Sequence, residues 1–198
     1  MRVVLASGNR GKLRELATVL APLGFAVIAQ SELGVETPPE TGRTFEENAL
    51  LKARHAAAAT ALPALADDSG IEVDAMGGRP GVYSARYAGE GASDAGNLQK
   101  LIDELRDVPL GKRTARYRCV IAFVKAAADA APIVAYGTWE GTLATVPRGS
   151  GGFGYDPLFV PNGFTRTAAE LEPEEKNSVS HRGQALRALL RALEKSGS

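Results

Sequence analysis

The first thirty residues carry the pattern that most restricts the fold of this chain. Residues 3–6 are an apolar, strand-like run, and residues 7–12 form a polar turn with two glycines. Apolar residues then recur at helical spacing from 13 to 20, and a second strand-like run occupies residues 25–29. Strand, glycine turn, helix and strand in this order predict an α/β layer structure.

Capping residues mark the starts of the later helices. A hydroxyl side chain followed three residues later by glutamate forms a capping box, in which each side chain satisfies an amide of the first helical turn. This pattern occurs twice, and two further polar residues precede runs with leucine on one face. The predicted helix starts are Thr44 (with Glu47), Asp94, Thr167 (with Glu170) and Ser180.

Short strand patterns lie between these helices. Residues 64–66 and 71–75 are predicted strands on either side of an acidic turn. The runs 117–124, 133–139 and 142–146 have short connections, which favour antiparallel pairing. The overall prediction is an α/β protein with a mixed β-sheet flanked by helices.

Composition excludes several classes of protein. The 198 residues fit a single domain spanning 1–198, and the hydrophobic share of 44% fits a globular core. The 23 basic and 23 acidic residues cancel, whereas a general nucleic-acid-binding protein carries a basic excess. We expect no membrane partner, because no signal peptide and no apolar run of about 20 residues is found. The lone cysteine, Cys119, lies in an apolar run and predicts a buried residue in a reducing, cytoplasmic setting.

Two adjacent carboxylates give the strongest chemical signal. The segment Asp67-Asp68-Ser69-Gly70 follows an apolar strand, where carboxylates are costly unless a cation neutralises them. Mg²⁺ is the usual cation, since it prefers a few carboxylates together with phosphate oxygens. The alternative is a solvated acidic turn.

Two lysines and a glutamate extend this hypothesis to a phosphate site. The turn 7–12 lies before a helix, where backbone amides and Lys12 favour an anion, although it also fits a plain strand-to-helix connection. Glu40 precedes the second helix and is either a metal ligand or a partner of the helix dipole. Lys52 shares a helix face with Asn48 and either neutralises phosphate or is a surface lysine.

A glycine-rich loop near the C-terminus has the composition of a base-binding segment. Residues 149–157 contain four glycines interrupted by Phe153 and Tyr155. Aromatic contact, backbone hydrogen bonds and Asp156 as an acceptor would suit a planar base. The alternative is a tight hairpin with core aromatics.

Cations cluster at the start of the last helix. Lys176 comes shortly before it, and His181 and Arg182 lie in its first turn, where the helix dipole disfavours positive charge. A charge at a position that disfavours it often marks a functional site. Here the site would bind an anion or the electron-rich edge of a base. The alternative for His181 is a simple surface residue.

In this order and spacing, the segments resemble the inosine triphosphate pyrophosphatase family, whose members act on non-standard purine nucleoside triphosphates. The resemblance covers nearly the whole chain, and Ser7 stands where many relatives have threonine, which keeps the hydroxyl. The matching stretches are residues 7–12, 40–42, 44–49, 66–70, 80–86, 151–157 and 180–182.

The resemblance implies an elongated mixed sheet, two lobes with an active-site cleft between them, and a homodimer. It implies Mg²⁺-dependent hydrolysis of ITP, dITP and XTP to the monophosphate and pyrophosphate, which removes deaminated purines from the nucleotide pool. Asp68 would be the general base and Lys52 a second catalytic residue, with Glu40 and Asp68 at the metal and Asp67 in a supporting role. By the same resemblance, the substrate-binding residues are Ser7, Gly8, Asn9, Arg10, Gly11, Lys12, Ser69, Phe153, Gly154, Tyr155, Asp156, Lys176, His181 and Arg182.

Selection of the base has a physical requirement. Hypoxanthine and xanthine carry a 6-oxo group where adenine carries an amino donor, so a site that offers donors there rejects adenine. Arg182 or a backbone amide of residues 153–156 is the predicted donor. The main alternative function is a nucleotide-binding regulator without turnover, which would not need Asp68. Another is a pyrophosphatase that acts on modified pyrimidines or on common nucleotides.

Overall fold

A mixed β-sheet is the main element of the computed structural model, which describes residues 1–7 and 10–196, without the side chains of 10–12, 14, 15 and 196. The strands are β1 (Arg2–Leu5), β2 (Ala26–Ala29), β3 (Ala64–Val73), β4 (Thr114–Val124), β5 (Ile133–Leu143) and β6 (Phe159–Pro161). Among the described residues, these six strands form one sheet in the order β2-β1-β3-β4-β5-β6. β1 pairs in parallel with β2 and β3, whereas β5 and β6 pair antiparallel. The predicted α/β fold with a mixed sheet is confirmed.

Helices flank this sheet. The α-helices of the described segments are α1 (Arg10–Leu20), α2 (Phe45–Thr60), α3 (Asp94–Glu104), α4 (Pro173–Val179) and α5 (His181–Ser196). Short 3-10 helices are Ala21–Leu23, Gln30–Leu33, Asp74–Met76, Gly81–Arg86, Leu110–Lys112 and Ala168–Glu170. In the part of the chain that the structure describes, no helix combines the length and the apolar character of a membrane span.

Helix α2 begins and ends where its sequence predicts. The Thr44 hydroxyl oxygen accepts the amide of Glu47 at 3.1 Å, while the Glu47 carboxylate accepts the amide of Arg43 at 2.6 Å. The second bond of the predicted capping box therefore comes from the amide of Arg43, one residue before Thr44. The helix stops at Thr60, after which Ala61 adopts a left-handed backbone with φ of +53°. This helix carries two side chains of the candidate site.

The predicted acidic turn is wrong, because residues 67–70 lie inside the unbroken strand β3. β3 pairs with β1 at Ala64 and Leu65 and has β4 as its other neighbour in the sheet, so strand pairing keeps the chain extended and it does not turn. Successive side chains of a strand point to opposite faces. Asp67 and Asp68 therefore lie on opposite faces of β3, which a turn would not have required.

The two strands predicted at 133–139 and 142–146 are one strand, β5, which runs through Gly141. A Cβ at Gly141 would lie 2.7 Å from the ring of Phe159 on the neighbouring strand β6. The glycine is therefore explained by close approach of β6 and not by a change of chain direction.

Capping at the later helices follows the sequence with two corrections. Ser93 and not Asp94 caps α3, since its hydroxyl oxygen accepts the amide of Gly96 at 3.2 Å. The Thr167–Glu170 capping box is present, but it opens the short 3-10 helix Ala168–Glu170. Ser180 caps α5 as predicted, accepting the amide of Gly183 at 3.2 Å.

The chain forms two compact units, each with its own apolar core. The first unit comprises Met1–Asp68, Cys119–Gly137 and Ala185–Ser198, and the second comprises Ser69–Arg118 and Thr138–Gln184. Cys119 is buried in the first core, as predicted. The second core includes Trp139 and Tyr155.

Candidate active site

The first unit contains a buried ion-pair network, which we call the acidic cluster: Glu40, Asn48, Lys52 and Asp68. The ammonium of Lys52, on α2, lies 2.6 Å from Glu40 Oε1 and 3.0 Å from Asp68 Oδ1. Lys52 is only 6% exposed, so the alternative of a surface lysine is wrong. One cation thus holds together two carboxylates from separate segments, the loop before α2 and the strand β3.

Asn48 fixes the second oxygen of Asp68. Its Nδ2 donates to Asp68 Oδ2 at 3.3 Å, and its Oδ1 accepts the amide of Gly42 at 2.8 Å. The amide orientation of Asn48 is set by this second bond. A Cβ at Gly42 would lie 2.6 Å from Asn48 Oδ1, so only glycine lets the loop approach this closely.

The acidic cluster changes the titration of its members. Burial raises the pKa of Asp68 to about 6 and Glu40 adds to this effect, whereas Lys52 and Asn48 oppose it. Burial disfavours the charged form of Lys52, but the carboxylates of Asp68 and Glu40 outweigh burial and raise its pKa. Asp68 can therefore exchange a proton near neutral pH, which is the property of a general base.

The remaining predicted residues of the first unit lie near the ends of β1 and β3. Asp67 is buried on the face of β3 opposite Asp68. Ser7, after β1, is half-buried. The helix α1 already begins at Arg10, inside the predicted turn. Gly8 and Asn9, and the side chains of Arg10, Gly11 and Lys12, lie outside the described residues, so their phosphate-binding role stays a prediction.

The second unit contains residues 149–157, which we call the aromatic loop. The ring of Phe153 is 51% exposed, with Lys176 Nζ 5.1 Å and Arg182 Cζ 5.4 Å from its centroid. Cations at these distances are attracted to the face of an aromatic ring. Tyr155, by contrast, is buried and donates its hydroxyl to the Ser84 carbonyl at 2.8 Å. Phe153 is therefore the aromatic side chain of this loop that presents a ring to solvent.

Asp156 holds the aromatic loop in shape. Its buried carboxylate accepts the amide of Phe153 at 2.8 Å and the ammonium of Lys176 at 2.5 Å. It also hydrogen-bonds the Tyr117 hydroxyl, and burial together with this carboxylate raises the pKa of Tyr117 well above its usual value. Gly152 makes room for this pair, since a Cβ there would lie 2.8 Å from Lys176 Nζ.

His181 and Arg182 open α5 with different surroundings. His181 is buried, and its ring stacks on Tyr117 at 4.7 Å between centroids with 8° between planes. The alternative of a simple surface histidine is therefore wrong. Arg182 reaches Ser69 through a long 3.5 Å contact between Nη2 and Oγ. Within the second unit, Phe153, Lys176 and Arg182 are thus neighbours, and their role as a binding site stays a prediction.

A family model described as the Ham1 family matches residues 3–192. The chain belongs to this family. The dITP/XTP pyrophosphatase of Escherichia coli strain K12 is 56% identical to this Ham1 protein over 192 residues, which cover 97% of this chain and 98% of that one. The dITP/XTP pyrophosphatase of Pectobacterium atrosepticum is 59% identical over the same length and coverage.

Solved structures agree with this membership. The HAM1 protein of Coxiella burnetii has a TM-score of 0.94 and 49% identity, covering 98% of this chain and 99% of that chain. A nucleoside-triphosphatase and dITP/XTP pyrophosphatase of Mycobacterium abscessus has a TM-score of 0.81 and 46% identity, covering 96% and 99%. The family resemblance inferred from the sequence is confirmed.

Sequence reasoning did not include three residues that contact the candidate side chains, one in the first unit and two in the second. Asn48 had a usable signal, because it lies four residues before Lys52 on the same helix face. Asp94 was assigned to helix capping, whereas its carboxylate accepts the amide of Gly154 in the aromatic loop at 2.9 Å. Tyr117 had no local signal, since its contacts with the loop and α5 arise only in the folded chain.

Proposed function

We propose that this Ham1 protein hydrolyses the non-standard purine nucleoside triphosphates ITP, dITP and XTP to the nucleoside monophosphate and pyrophosphate. The observation that carries the chemistry is the acidic cluster, in which Asp68 and Glu40 converge on one buried cation. Two of these substrates, dITP and XTP, are named in the relatives that are 56% and 59% identical over nearly the whole chain, and ITP is added from the family resemblance. Clearance of deaminated purines from the nucleotide pool is the consequence of this activity.

Glu40 and Asp68 are the proposed ligands of Mg²⁺. Their oxygens already meet at a single positive charge, and two carboxylates against one ammonium leave the cluster with a net negative charge. The described residues contain no group of three His, Cys, Asp or Glu suited to a metal. Mg²⁺ fits this donor set because it is commonly held by one or two carboxylates and completes its shell with water and substrate phosphates. When bound, it neutralises charge on the leaving pyrophosphate.

Asp68 is the proposed general base for the attacking water. The hydrogen bond from Asn48 fixes one carboxylate oxygen, and a pKa of about 6 leaves the group mostly ionised at neutral pH. Lys52 neutralises the phosphates, a role suited to a compact ammonium. The other residues proposed to bind the triphosphate are Ser7, Gly8, Asn9, Arg10, Gly11 and Lys12.

The aromatic loop and the neighbouring cations are the proposed base site. Phe153 offers an exposed ring on which a purine can stack. The amides of Phe153 and Gly154 already donate to Asp156 and Asp94, and the amide of Asp156 donates to the Phe153 carbonyl. Three of the four amides predicted as base donors thus have acceptors within the protein. We assign donation to the 6-oxo group to Arg182, whose guanidinium lies 5.4 Å from the centroid of the Phe153 ring, and the amide of Tyr155 is the alternative donor.

The other substrate contacts support this arrangement. Ser69 is proposed to contact the nucleotide beside Arg182, and Lys176 completes the charged border of the Phe153 ring. Tyr155, Asp156 and His181 are proposed to act by holding loop and helix in shape, since all three are buried. A cytoplasmic homodimer that binds the nucleotide, and neither nucleic acid nor a membrane, is proposed from the family resemblance. The balance of 23 basic and 23 acidic residues supports the absence of a nucleic-acid partner.

Product analysis tests the proposal. The protein is incubated with ITP, XTP, dITP, ATP and GTP, with and without Mg²⁺, and the released phosphate is identified. We expect pyrophosphate and monophosphate from the first three nucleotides in the presence of Mg²⁺ only. Orthophosphate as the product, or no turnover, would contradict the proposal.

Two adjacent carboxylates provide a matched pair of variants. Asp68→Asn is expected to lower turnover about a thousandfold or more while ITP still binds, because general-base catalysis contributes about 10²- to 10⁴-fold and a metal ligand is lost as well. Asp67→Asn alters the opposite face of β3 and is expected to keep measurable turnover. Absence of turnover in the wild type, together with ITP binding that is equal in wild type and Asp68→Asn, would instead support the nucleotide-binding regulator.

A further inference from the structure

We propose that Asp94 is a positioning residue that holds the aromatic loop in its base-binding conformation. Its Oδ2 accepts the amide of Gly154 at 2.9 Å, across 60 residues of sequence. Gly154 directly follows Phe153, whose exposed ring is the proposed stacking surface. This inference rests on the proposed function, because it assigns Asp94 a role in binding the purine.

The aromatic loop needs such a restraint because its own sequence favours many conformations. Gly152 and Gly154 adopt left-handed backbones with φ of +73° and +59°, and glycine gives up the most conformational freedom when fixed. Asp156 holds the amide of Phe153 from within the loop. Asp94 holds the next amide from outside the loop. Consecutive amides on the two sides of Phe153 are therefore each fixed by a carboxylate.

Asp94 is itself well anchored. It is the first residue of α3, whose start is fixed by Ser93 capping the amide of Gly96. One turn further, the buried side chain of Asn97 accepts the amide of Ala88 at 2.7 Å. A carboxylate at a helix N-terminus is also favoured by the helix dipole. The bond to Gly154 therefore ties the loop to a rigid element.

Loss of this bond should lower the fraction of loops that are ready to bind, and apparent affinity falls by the same fraction. The acidic cluster is untouched by the change, so the chemical step should keep its rate. Uniform loss of binding raises KM with kcat unchanged. For Asp94→Ala we expect KM for ITP to rise about five- to tenfold, the range for losing one partly exposed hydrogen bond to a charged group.

Three variants separate positioning from simple destabilisation. Asp94→Ala removes the acceptor, and Asp94→Asn retains an oxygen that can accept the Gly154 amide. Ser93→Ala weakens the same helix start by removing its N-cap but leaves Asp94 in place. We expect a raised KM only for Asp94→Ala, with Asp94→Asn within about twofold of wild type and Ser93→Ala unchanged in KM despite a lowered Tm. An unchanged KM in Asp94→Ala, or an equal rise in Ser93→Ala, would overturn the proposal.

A double-mutant cycle and an amide measurement complete the test. If Asp94 acts through Phe153, adding Asp94→Ala to Phe153→Ala should raise KM no further, whereas additive effects would contradict that route. Hydrogen exchange of the Gly154 amide should accelerate in Asp94→Ala, and an unchanged exchange rate would contradict the contact itself. This measurement needs no substrate. A wild-type protein that fails to release pyrophosphate from ITP would thus refute the proposed function and leave the contact separately tested.

Discussion

Replacing Lys52 by methionine tests whether its ammonium holds the acidic cluster together. Methionine keeps an unbranched side chain of similar length and removes only the charge. At an effective dielectric constant of about 20, two charges about 3 Å apart attract by about 5 kcal/mol, and removing one partner of a buried pair is measured at about 3–5 kcal/mol. Lys52 makes two such contacts, at 2.6 and 3.0 Å. Protonation of Asp68 relieves part of the loss, so we expect the free energy of unfolding to fall by about 3 kcal/mol at about pH 8.

The loss of stability caused by Lys52→Met should depend on pH in a defined direction. In the wild-type protein the pKa of Asp68 rises from 3.8 to about 6 on folding, so the native state binds this proton more tightly than the unfolded state. That contribution to stability is complete below the unfolded pKa and is lost as pH rises through about 6. Without the ammonium of Lys52, the pKa of Asp68 rises further. The variant therefore loses most stability at a pH at which Asp68 must be ionised. At about pH 5 Asp68 is protonated in both proteins, and the penalty should fall to about half, which is the contact with Glu40.

Urea unfolding of the metal-free protein, followed by far-UV circular dichroism at the two pH values, measures both effects. Arg54→Met is the control, because Arg54 lies on the same helix, is exposed, and donates to the Asp129 carbonyl through a long 3.3 Å hydrogen bond. Its expected loss is below about 1 kcal/mol. The reasoning fails if Lys52→Met is no less stable than Arg54→Met at about pH 8, or if its penalty grows on acidification.

Two further variants examine the aromatic loop. Gly152→Ala should lower the free energy of unfolding by about 2–3 kcal/mol in urea titrations, because its Cβ would lie 2.8 Å from Lys176 Nζ. Gly154→Ala has a similar left-handed φ but nothing within 4 Å of its Cβ, so it should lose only about 1 kcal/mol. Equal losses in the two variants would show that steric contact is not the cause. Phe153→Leu should raise KM for ITP about tenfold in steady-state assays, since stacking on an aromatic ring contributes about 1–3 kcal/mol per base. Tyr136→Leu alters another exposed ring, and an equally large rise in its KM would contradict a specific role of Phe153.

The elements predicted correctly are those whose cause is local. The helix starts at Thr44 and Ser180 follow from a hydroxyl oxygen that accepts an amide three residues later, a bond that needs only neighbouring sequence. The opening strand, helix and strand follow from apolar periodicity. Burial of Cys119 follows from the apolar run around it.

The errors arise where distant residues decide. Asp67 to Gly70 has the composition of a turn, yet it lies within β3, whose neighbour β4 in the sheet is distant in sequence. Gly141 resembles a break between two strands, but its small size serves the Phe159 ring. Asp94 fits the pattern of a helix cap, while its partner is an amide 60 residues away. None of these partners can be identified from the local sequence.

The candidate site also combines features that the local sequence predicts with features that only the folded chain determines. The residue types that could bind a metal, phosphate and base were recognisable from sequence, and the i, i+4 spacing placed Asn48 and Lys52 on one face of α2. Their contacts with Asp68 depend on packing of α2 beside β3, which no local pattern specifies. Phe153 and Tyr155, both candidates from the sequence, differ in the fold, because one ring is exposed and the other belongs to the core.

The strand geometry of β3 gives the two adjacent carboxylates different roles. In a flexible turn, Asp67 and Asp68 could both reach one cation, and both would then share its field. In a strand, alternation directs Asp68 to the hydrogen-bond donors Lys52 and Asn48, whereas Asp67 adds a smaller contribution to the raised pKa of Lys52. A base near neutral pKa needs burial, which raises the pKa, and a cation, which keeps the group ionisable. The acidic cluster supplies both to one residue, and a second carboxylate on the same face would push the pKa of Asp68 higher still. The alternation between Asp67 and Asp68 therefore gives Asp68 the surroundings that the proposed base requires.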